Sequence, residues 1–444
     1  AHPVTVATFT KQNTAHNSYK DIQLSKKIKI LTLSDHPLSP SGVGTQTRYM
    51  IEGLLATGNY QFISLGGAIK HHDYSPQATE EHGDDWVIYP VDGYGTPDHV
   101  RSLMTNEKPD IVWFMTDPRF WPWLWMIENE IRPHAPMVYY HVWDNYPYPN
   151  FNKKFYDSND VICTISKVTD DIVRTVSPEV ECIRIPHAVP NEIFQPLGKE
   201  FVQEYKEKHE LLKPDDDKVL FFWNNRNARR KQSGTLIHWF KEFLDEVGHD
   251  KASLIMHTDP KDPHGQDLEA IMQNLDIMSG QILLSTMKVE PQELAMIYNV
   301  VDCTINISDA EGFGLSTLES LNCGTPIIAT LTGGLQEQIT DGKNWFGVGL
   351  EPSSKAIIGS QDVPYIYEDR VSKEDFLSAL RKMYNMTKTE REELGSKGRE
   401  YVLKNYSHEG YVKQWDDTMN HIYENYGSWS TRKNYKTWSI KEIQ

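Results

Sequence analysis

Cysteine is scarce in this chain: there are four in 444 residues, Cys163, Cys182, Cys303 and Cys323, and no two share a Cys-x-x-Cys spacing. Each lies in or beside an apolar, strand-like segment, so buried reduced thiols are expected rather than a disulfide framework or a thiolate metal site. Histidine is commoner, with 17 residues, but it is scattered, and the adjacent pair His71-His72 has no further ligand at metal-binding spacing. No apolar run approaches the roughly 20 residues a membrane-spanning helix needs. The first residues also lack the charged-then-apolar order of a secretory signal. Together these absences read as a cytoplasmic protein. Positive charge is in deficit too: 45 Lys and Arg against 62 Asp and Glu leave a formal charge of −17. That balance argues against a nucleic-acid partner held through its phosphates.

What the chain does contain is a composition of 39% hydrophobic and 24% charged residues, ordinary for globular proteins, and a length that calls for about two or three domains. Residues 1–27 read as a polar, aperiodic arm. Apolar β-branched runs then predict strands at 28–33, 61–65, 110–115, 137–141, 160–164 and 181–185, with helical segments between several of them, the first at 46–56. A second series of strands follows at 219–223, 253–257, 282–285, 303–307 and 326–329. Alternation of this kind implies parallel sheets covered on both faces. The proline-rich stretch Ile185-Pro-His-Ala-Val-Pro-Asn-Glu-Ile-Phe-Gln-Pro196 separates the two series. The expected organisation is therefore an arm (1–27), a first Rossmann-like domain (28–195), a second (196–408) and a C-terminal helix and tail (409–444).

The stretch with most chemical content is Glu311-Gly-Phe-Gly-Leu-Ser-Thr-Leu-Glu319, which follows a buried strand and enters a helix over 315–321. A helix start offers unpaired N–H groups and a positive dipole end, so the amides near Gly314, Leu315 and Ser316 suit a phosphate. Gly312 and Gly314, with Phe313 between them, let a ligand approach the backbone. Glu311 on the loop and Glu319 on the helix are acceptors for sugar hydroxyls; the bland alternative is a solvated acidic pair. Downstream, Gly324-Thr-Pro-Ile-Ile-Ala-Thr-Leu-Thr-Gly-Gly-Leu-Gln-Glu337 reads as a strand and a double-glycine turn opening another helix.

This succession of a Glu-x7-Glu signature, a glycine, a strand and Gly-Gly-x-x-Glu resembles the glycosyltransferase family 4 enzymes, retaining transferases of the GT-B fold. The resemblance spans most of residues 28 to about 427 and is strongest in the second domain. It implies an α/β protein with two Rossmann-like domains whose parallel sheets face a cleft, acting as a retaining glycosyltransferase. The expected reaction moves a sugar from a nucleotide-diphosphate donor, a UDP- or GDP-sugar, to an unidentified hydroxyl acceptor with an α-linkage, without a metal or other cofactor. One departure is His187-Ala188, where the family commonly has Asn-Gly.

Other positions acquire roles through the same resemblance. Arg226 and Lys231, in the basic run after the strand 219–223, match the residues that clamp the donor diphosphate, and Arg229 or Arg230 can take the place of Arg226. His141, at a strand end, matches a histidine that contacts the transferring sugar. Gly42 and Gly44, in the loop after the first strand, face the donor. The chain has Thr47 where a dinucleotide fingerprint has its third glycine, which removes the main support for a dehydrogenase. The turn 286–289, with Lys288, corresponds to the place that holds the nucleotide base through its backbone. No role is evident for Asp144 and Asn145. Trp429, Tyr435 and Trp438, interspersed with basic residues, allow either packing on the protein's own surface or a weak contact with a membrane. Competing functions are a noncatalytic nucleotide-sugar binder, an epimerase or phosphorylase on the same fold, and a sugar transferase acting on modified DNA bases, which the acidic balance opposes.

Overall fold

A computed structural model describes residues 26–212 and 216–435, so the arm at 1–25 and Trp438 lie outside the described residues. The chain divides into two compact units. One comprises the described residues of Ala1–Thr116, Trp123–Tyr139 and Trp415–Gln444, and the other Asp117–Pro122 and Tyr140–Gln414.

In the first unit, the buried run Ile28–Asp35 forms β1. It pairs in parallel with β2 (Tyr60–Gly67) on one side and β5 (Ile111–Thr116) on the other. β2 continues in parallel to β4 (Gly83–Pro90), and a short antiparallel β3 (Gln77–Thr79) closes the edge. β5 neighbours β6 (Met137–His141), whose last two residues belong to the second unit. α1 (Gly42–Leu55) follows β1 and buries Thr47, Met50, Ile51 and Leu54, the spacing of one helical face. It starts four residues before the predicted 46, because the Ser41 side chain accepts the Gly44 N–H at 3.0 Å and caps it there.

The C-terminal residues complete this unit. They belong to α9 (His408–Tyr426) and the segment after it. The Trp415 ring meets Trp113 of β5 edge-on at 5.9 Å, and the Tyr60 hydroxyl donates to Asp416 Oδ1 at 2.6 Å. Ser428 Oγ donates to Asp110 at 2.6 Å, and the Trp429 indole donates to Pro109 O at 2.9 Å while stacking on His134. Tyr435 receives the Arg132 guanidinium over its ring at 4.9 Å. The two described aromatics of the tail thus pack on the protein's own surface. Among the described residues no helix is long and apolar enough to cross a membrane.

The second unit holds the parallel pair β7 (Val161–Thr164) and β8 (Glu181–Arg184) with α3 (Lys167–Val176) between them in sequence. It also holds a six-stranded sheet, entirely parallel, of β9 (Val219–Asn224), β10 (Ala252–His257), β11 (Ile282–Ser285), β12 (Cys303–Asn306), β13 (Ile327–Thr330) and β14 (Gly347–Leu350). The strand order is β11-β10-β9-β12-β13-β14. Strands buried on both faces read as continuous apolar runs, and β9, with Val-Leu-Phe-Phe-Trp, is such a run. Its Phe221 and Trp223 join Leu236, Phe240, Phe243 and Leu244 of α4 (Ser233–Val247) and Phe376 and Leu380 of the helix Lys373–Asn385 in one core. Each such side chain contributes about 1.5–3 kcal/mol by leaving water. This core fixes the sheet's carboxyl edge, from which the basic run and the Glu311 loop project. An antiparallel hairpin, β15 (Ser354–Ile358) with β16 (Ile366–Arg370), follows β14 and was not foreseen from the sequence. The four cysteines are free and buried.

Candidate active site

β12 ends at Asn306, and the chain runs through Ser308, Asp309 and Glu311 before entering α6 (Leu315–Asn322). Gly314, which caps α6, has φ +93, a conformation L side chains rarely adopt, and a Cβ there would lie 2.4 Å from Leu335. No side chain caps this helix start, which leaves the first-turn amides at Leu315 and Ser316 available for an anion. The loop before it is held from behind: buried Gln338 donates to Phe313 O at 2.7 Å and to Gly314 O at 3.0 Å. The Phe313 ring packs edge-on between His187 and Tyr406.

The double glycine explains how the loop is seated. Gly333 has φ +50, and a Cβ on it would fall 1.8 Å from Glu311 O and 2.8 Å from Asp144 O. A Cβ on Gly334 would lie 2.6 Å from Phe313 Cα. The turn after β13 therefore lies backbone-on-backbone against the Glu311 loop, a contact no larger residue permits.

Glu311 is paired with Lys231 in a short ion pair whose two side chains keep only 12% and 10% of their surface. Asn306 Nδ2 donates to the same carboxylate at 3.2 Å. Burial raises the Glu311 carboxyl, but the Lys231 and Arg230 charges and the bonds from Lys231 and Asn306 outweigh it and bring it down to about 2. Burial in turn draws the Lys231 ammonium below its ordinary value despite Glu311. A carboxylate so held is an acceptor for hydroxyls and no proton donor near neutrality.

Glu319, at the start of the second turn of α6, is in the opposite state. Its Oε2 is buried without a hydrogen-bond partner. Burial pushes its carboxyl up to about 8, against the lowering effect of the Tyr298 hydroxyl. Tyr298, wholly buried, accepts from Asn224 Nδ2 at 2.9 Å. An unsatisfied buried acceptor costs about 1–3 kcal/mol, a cost that a hydroxyl donor reaching Oε2 would remove.

The basic run separates three arginines by partner. Arg226 is 62% exposed and bonds Asp262 at 2.8 Å and His264 at 2.7 Å. Arg229 pairs with Glu368. Arg230 donates to Ala310 O at 2.6 Å and lies 4.0 Å from Asp144 Oδ2. The structure thus brings Arg230 and Lys231 to Glu311 and ties Arg226 to the Asp262 loop. Asp144 Oδ1 is also 3.1 Å from where a Cβ on Gly312 would sit. His141 is fully buried against the Tyr156 hydroxyl at 2.6 Å, and burial lowers its imidazole to about 3, so it is neutral across the ordinary pH range. Gly42 and Gly44 belong to the first unit, on the first turn of α1, where a Cβ on Gly44 would meet Ser39 Oγ at 2.5 Å. Lys288 is exposed after β11. Among the described residues, no group of three or more His, Cys, Asp or Glu is arranged to hold a metal ion.

Sequence reasoning missed Asn306 and Tyr298, named Asp144 without a role, and offered Arg230 only as a stand-in for Arg226. Asn306 alone left a signal, an amide closing an otherwise apolar strand.

Residues 203–401 match the family model described as "Glycosyl transferases group 1". An alpha-monoglucosyldiacylglycerol synthase of Streptococcus pneumoniae is 31% identical over 176 residues, 39% of this chain and 38% of that protein. The match thus spans less than two-fifths of that relative's length. Among solved structures, sucrose-phosphate synthase from Thermosynechococcus elongatus superposes with a TM-score of 0.71 at 15% identity, over 90% of this chain and 100% of that one. Anabaena HepE, in complex with UDP-glucose, superposes with a TM-score of 0.64 at 12% identity, over 88% of this chain and 99% of that one. Residues 203–401 thus carry the group 1 glycosyltransferase match, and the chain has the GT-B fold of its structural neighbours.

Proposed function

We propose that this protein is a retaining glycosyltransferase that moves a sugar from a nucleotide-diphosphate donor to a hydroxyl acceptor with an α-linkage. The observation that carries the reading is the segment 311–319, where an ion-paired carboxylate, an uncapped helix start and a second carboxylate with an empty acceptor oxygen follow one another. The donor's diphosphate lies on the amides of Leu315 and Ser316. Lys231 and Arg226 neutralise it, as the resemblance implies, with Arg230 close by at Ala310. These cations act most strongly on the leaving nucleoside diphosphate, where negative charge grows as the glycosidic bond breaks. Glu311, ionised throughout, accepts hydroxyls of the donor sugar and fixes its orientation. Glu319 accepts a ribose hydroxyl at Oε2. Neutral His141 contacts the transferring sugar. As the resemblance implies, the step is a front-side displacement: the acceptor oxygen bonds the anomeric carbon from the face the diphosphate leaves, and a donor phosphate oxygen takes the acceptor proton.

UDP-glucose is the first donor to try, since HepE, of the same fold, was solved with it. Release of UDP from UDP-glucose, with GDP-sugars run in parallel, tests the reading. Glu311→Gln is expected to lower turnover by about 10²-fold. Unchanged turnover in that variant would remove Glu311 from the mechanism.

A further inference from the structure

The hairpin β15–β16 and the residues Asn145 and Asp369 take no part in the chemistry above, yet they hold the loop that does. One edge of β16 is bonded to β15, with Lys355 opposite Asp369 and Ile357 opposite Tyr367. Its other edge is not left open. Tyr367 N–H donates to Tyr146 O at 2.8 Å and Asp369 N–H donates to Asp309 O at 2.7 Å. Residues two apart on a strand present their backbone groups to the same side, so this edge grips two loops at once. One carries Asp144 and the other leads directly into Glu311.

Side chains repeat the grip. Asn145 Nδ2 donates to Asp369 Oδ2 at 2.8 Å while its own Oδ1 accepts the Tyr146 N–H at 2.9 Å. Asp309 Oδ2 accepts from Gln232 at 2.8 Å and faces Arg370 at 3.6 Å. Three carboxylates, Asp309, Glu368 and Asp369, are thereby buried to 3% exposure or less. Arg229 and Arg370 on Glu368, and Lys355 at 3.7 Å from Asp369, offset their repulsion. Buried charges persist only where partners are placed for them, so the hairpin sits in one register against both loops. The Tyr365 ring, edge-on to Phe151 at 4.9 Å, anchors its tip.

We propose that β15–β16 is a strap that positions the Glu311 loop against the Asp144 loop, with Asn145 and Asp369 as the positioning residues that set how the donor sugar is held. The role in sugar transfer rests on the reading under Proposed function, whereas the strap itself can be tested without any donor.

The test is a swap. Asn145→Asp sets a carboxylate against Asp369 and removes the amide donor. Adding Asp369→Asn restores the hydrogen bond with donor and acceptor exchanged. Amide hydrogen exchange of the full chain is followed over 308–314, and UDP-glucose turnover is measured in parallel. Asn145→Asp is expected to speed exchange there at least fivefold and to lower kcat about tenfold with KM little changed; the double variant recovers both. Fast exchange restricted to the single variant supports the strap. Equal exchange in wild type and folded single variant, or a folded double variant that recovers nothing, overturns it. If the single variant does not fold, a folded double variant supports the pairing and an unfolded one overturns it. Should exchange follow the swap while the wild type turns over no UDP- or GDP-sugar, the transferase reading fails and the strap stands.

Discussion

The two ends of the segment 311–319 carry the same side chain eight positions apart in opposite electrostatic states. At the loop end, Glu311 is buried with a cation and drawn down to about 2; at the helix end, Glu319 is buried without one and pushed up to about 8. Desolvation is common to both, so the difference comes from what each carboxylate faces: Lys231, Arg230 and Asn306 in one case, a tyrosine hydroxyl in the other. Under the proposed function, the ion-paired carboxylate serves to orient the sugar, and the one with an unpartnered Oε2 serves to capture a hydroxyl. The contrast teaches that the spacing of a motif says little about the protonation of its members.

The largest effect should come from breaking the loop end. Lys231→Ala leaves Glu311 buried and unpaired, and is expected to cost about 3–5 kcal/mol of stability by denaturant unfolding. Lys231→Met with Glu311→Leu should regain most of that stability while remaining inactive, which separates the folding role of the pair from its chemical one. Next comes the seat beneath it: Gly333→Ala should cost about 1–3 kcal/mol, since a methyl group must displace the Glu311 carbonyl. It should also lower turnover, because the carboxylate moves with that carbonyl.

The helix end predicts a pH effect of opposite sign to the loop end. Glu319 holds its proton in the folded state up to about 8, against an ordinary 4.5. Its contribution to stability is full below 4.5 and is lost as pH rises through 8, with a slope of at most about 1.4 kcal/mol per unit. Glu311, drawn to about 2, contributes above its ordinary value and loses that contribution as pH falls towards 2. Thermal unfolding of Glu319→Gln between about pH 5 and about pH 8 should therefore show a flatter profile than wild type on the alkaline side and an unchanged acid limb. A parallel profile in both proteins would mean that Glu319 is already ionised. The smallest effect is at Arg226, whose exposed pair with Asp262 is worth about 0–1 kcal/mol; Arg226→Ala should leave the unfolding midpoint nearly in place.

Much of this fold was legible in the chain. Buried parallel strands are continuous apolar runs, and Ile28–Asp35, Met137–His141, Val219–Asn224 and Cys303–Asn306 all lie where their composition puts them. The elements that escaped are those whose composition argues against a strand: β4 opens on Gly83-Asp-Asp, and β15, Ser-Lys-Ala-Ile-Ile, is almost wholly exposed. In the site, Glu311 and Glu319 stand out by motif and spacing, and Lys231 through the family resemblance. That Lys231 reaches Glu311 across 80 positions, and that Asp262 and His264 take up Arg226, depends on loops brought together by the sheet. No local pattern records such partnerships. The same holds for Asn145, which has meaning only once β16 is beside it.

The first unit also bears on how the chain is made. Its β1 and β5 are synthesised early, yet Trp113, Tyr60 and Asp110 find their partners in Trp415, Asp416 and Ser428, some three hundred residues later. During translation these contacts must wait until the intervening residues have been made, while the six-stranded sheet has all its strands in one continuous stretch and can condense first. The stretch of chain made first is thus among the last to gain its full set of native contacts.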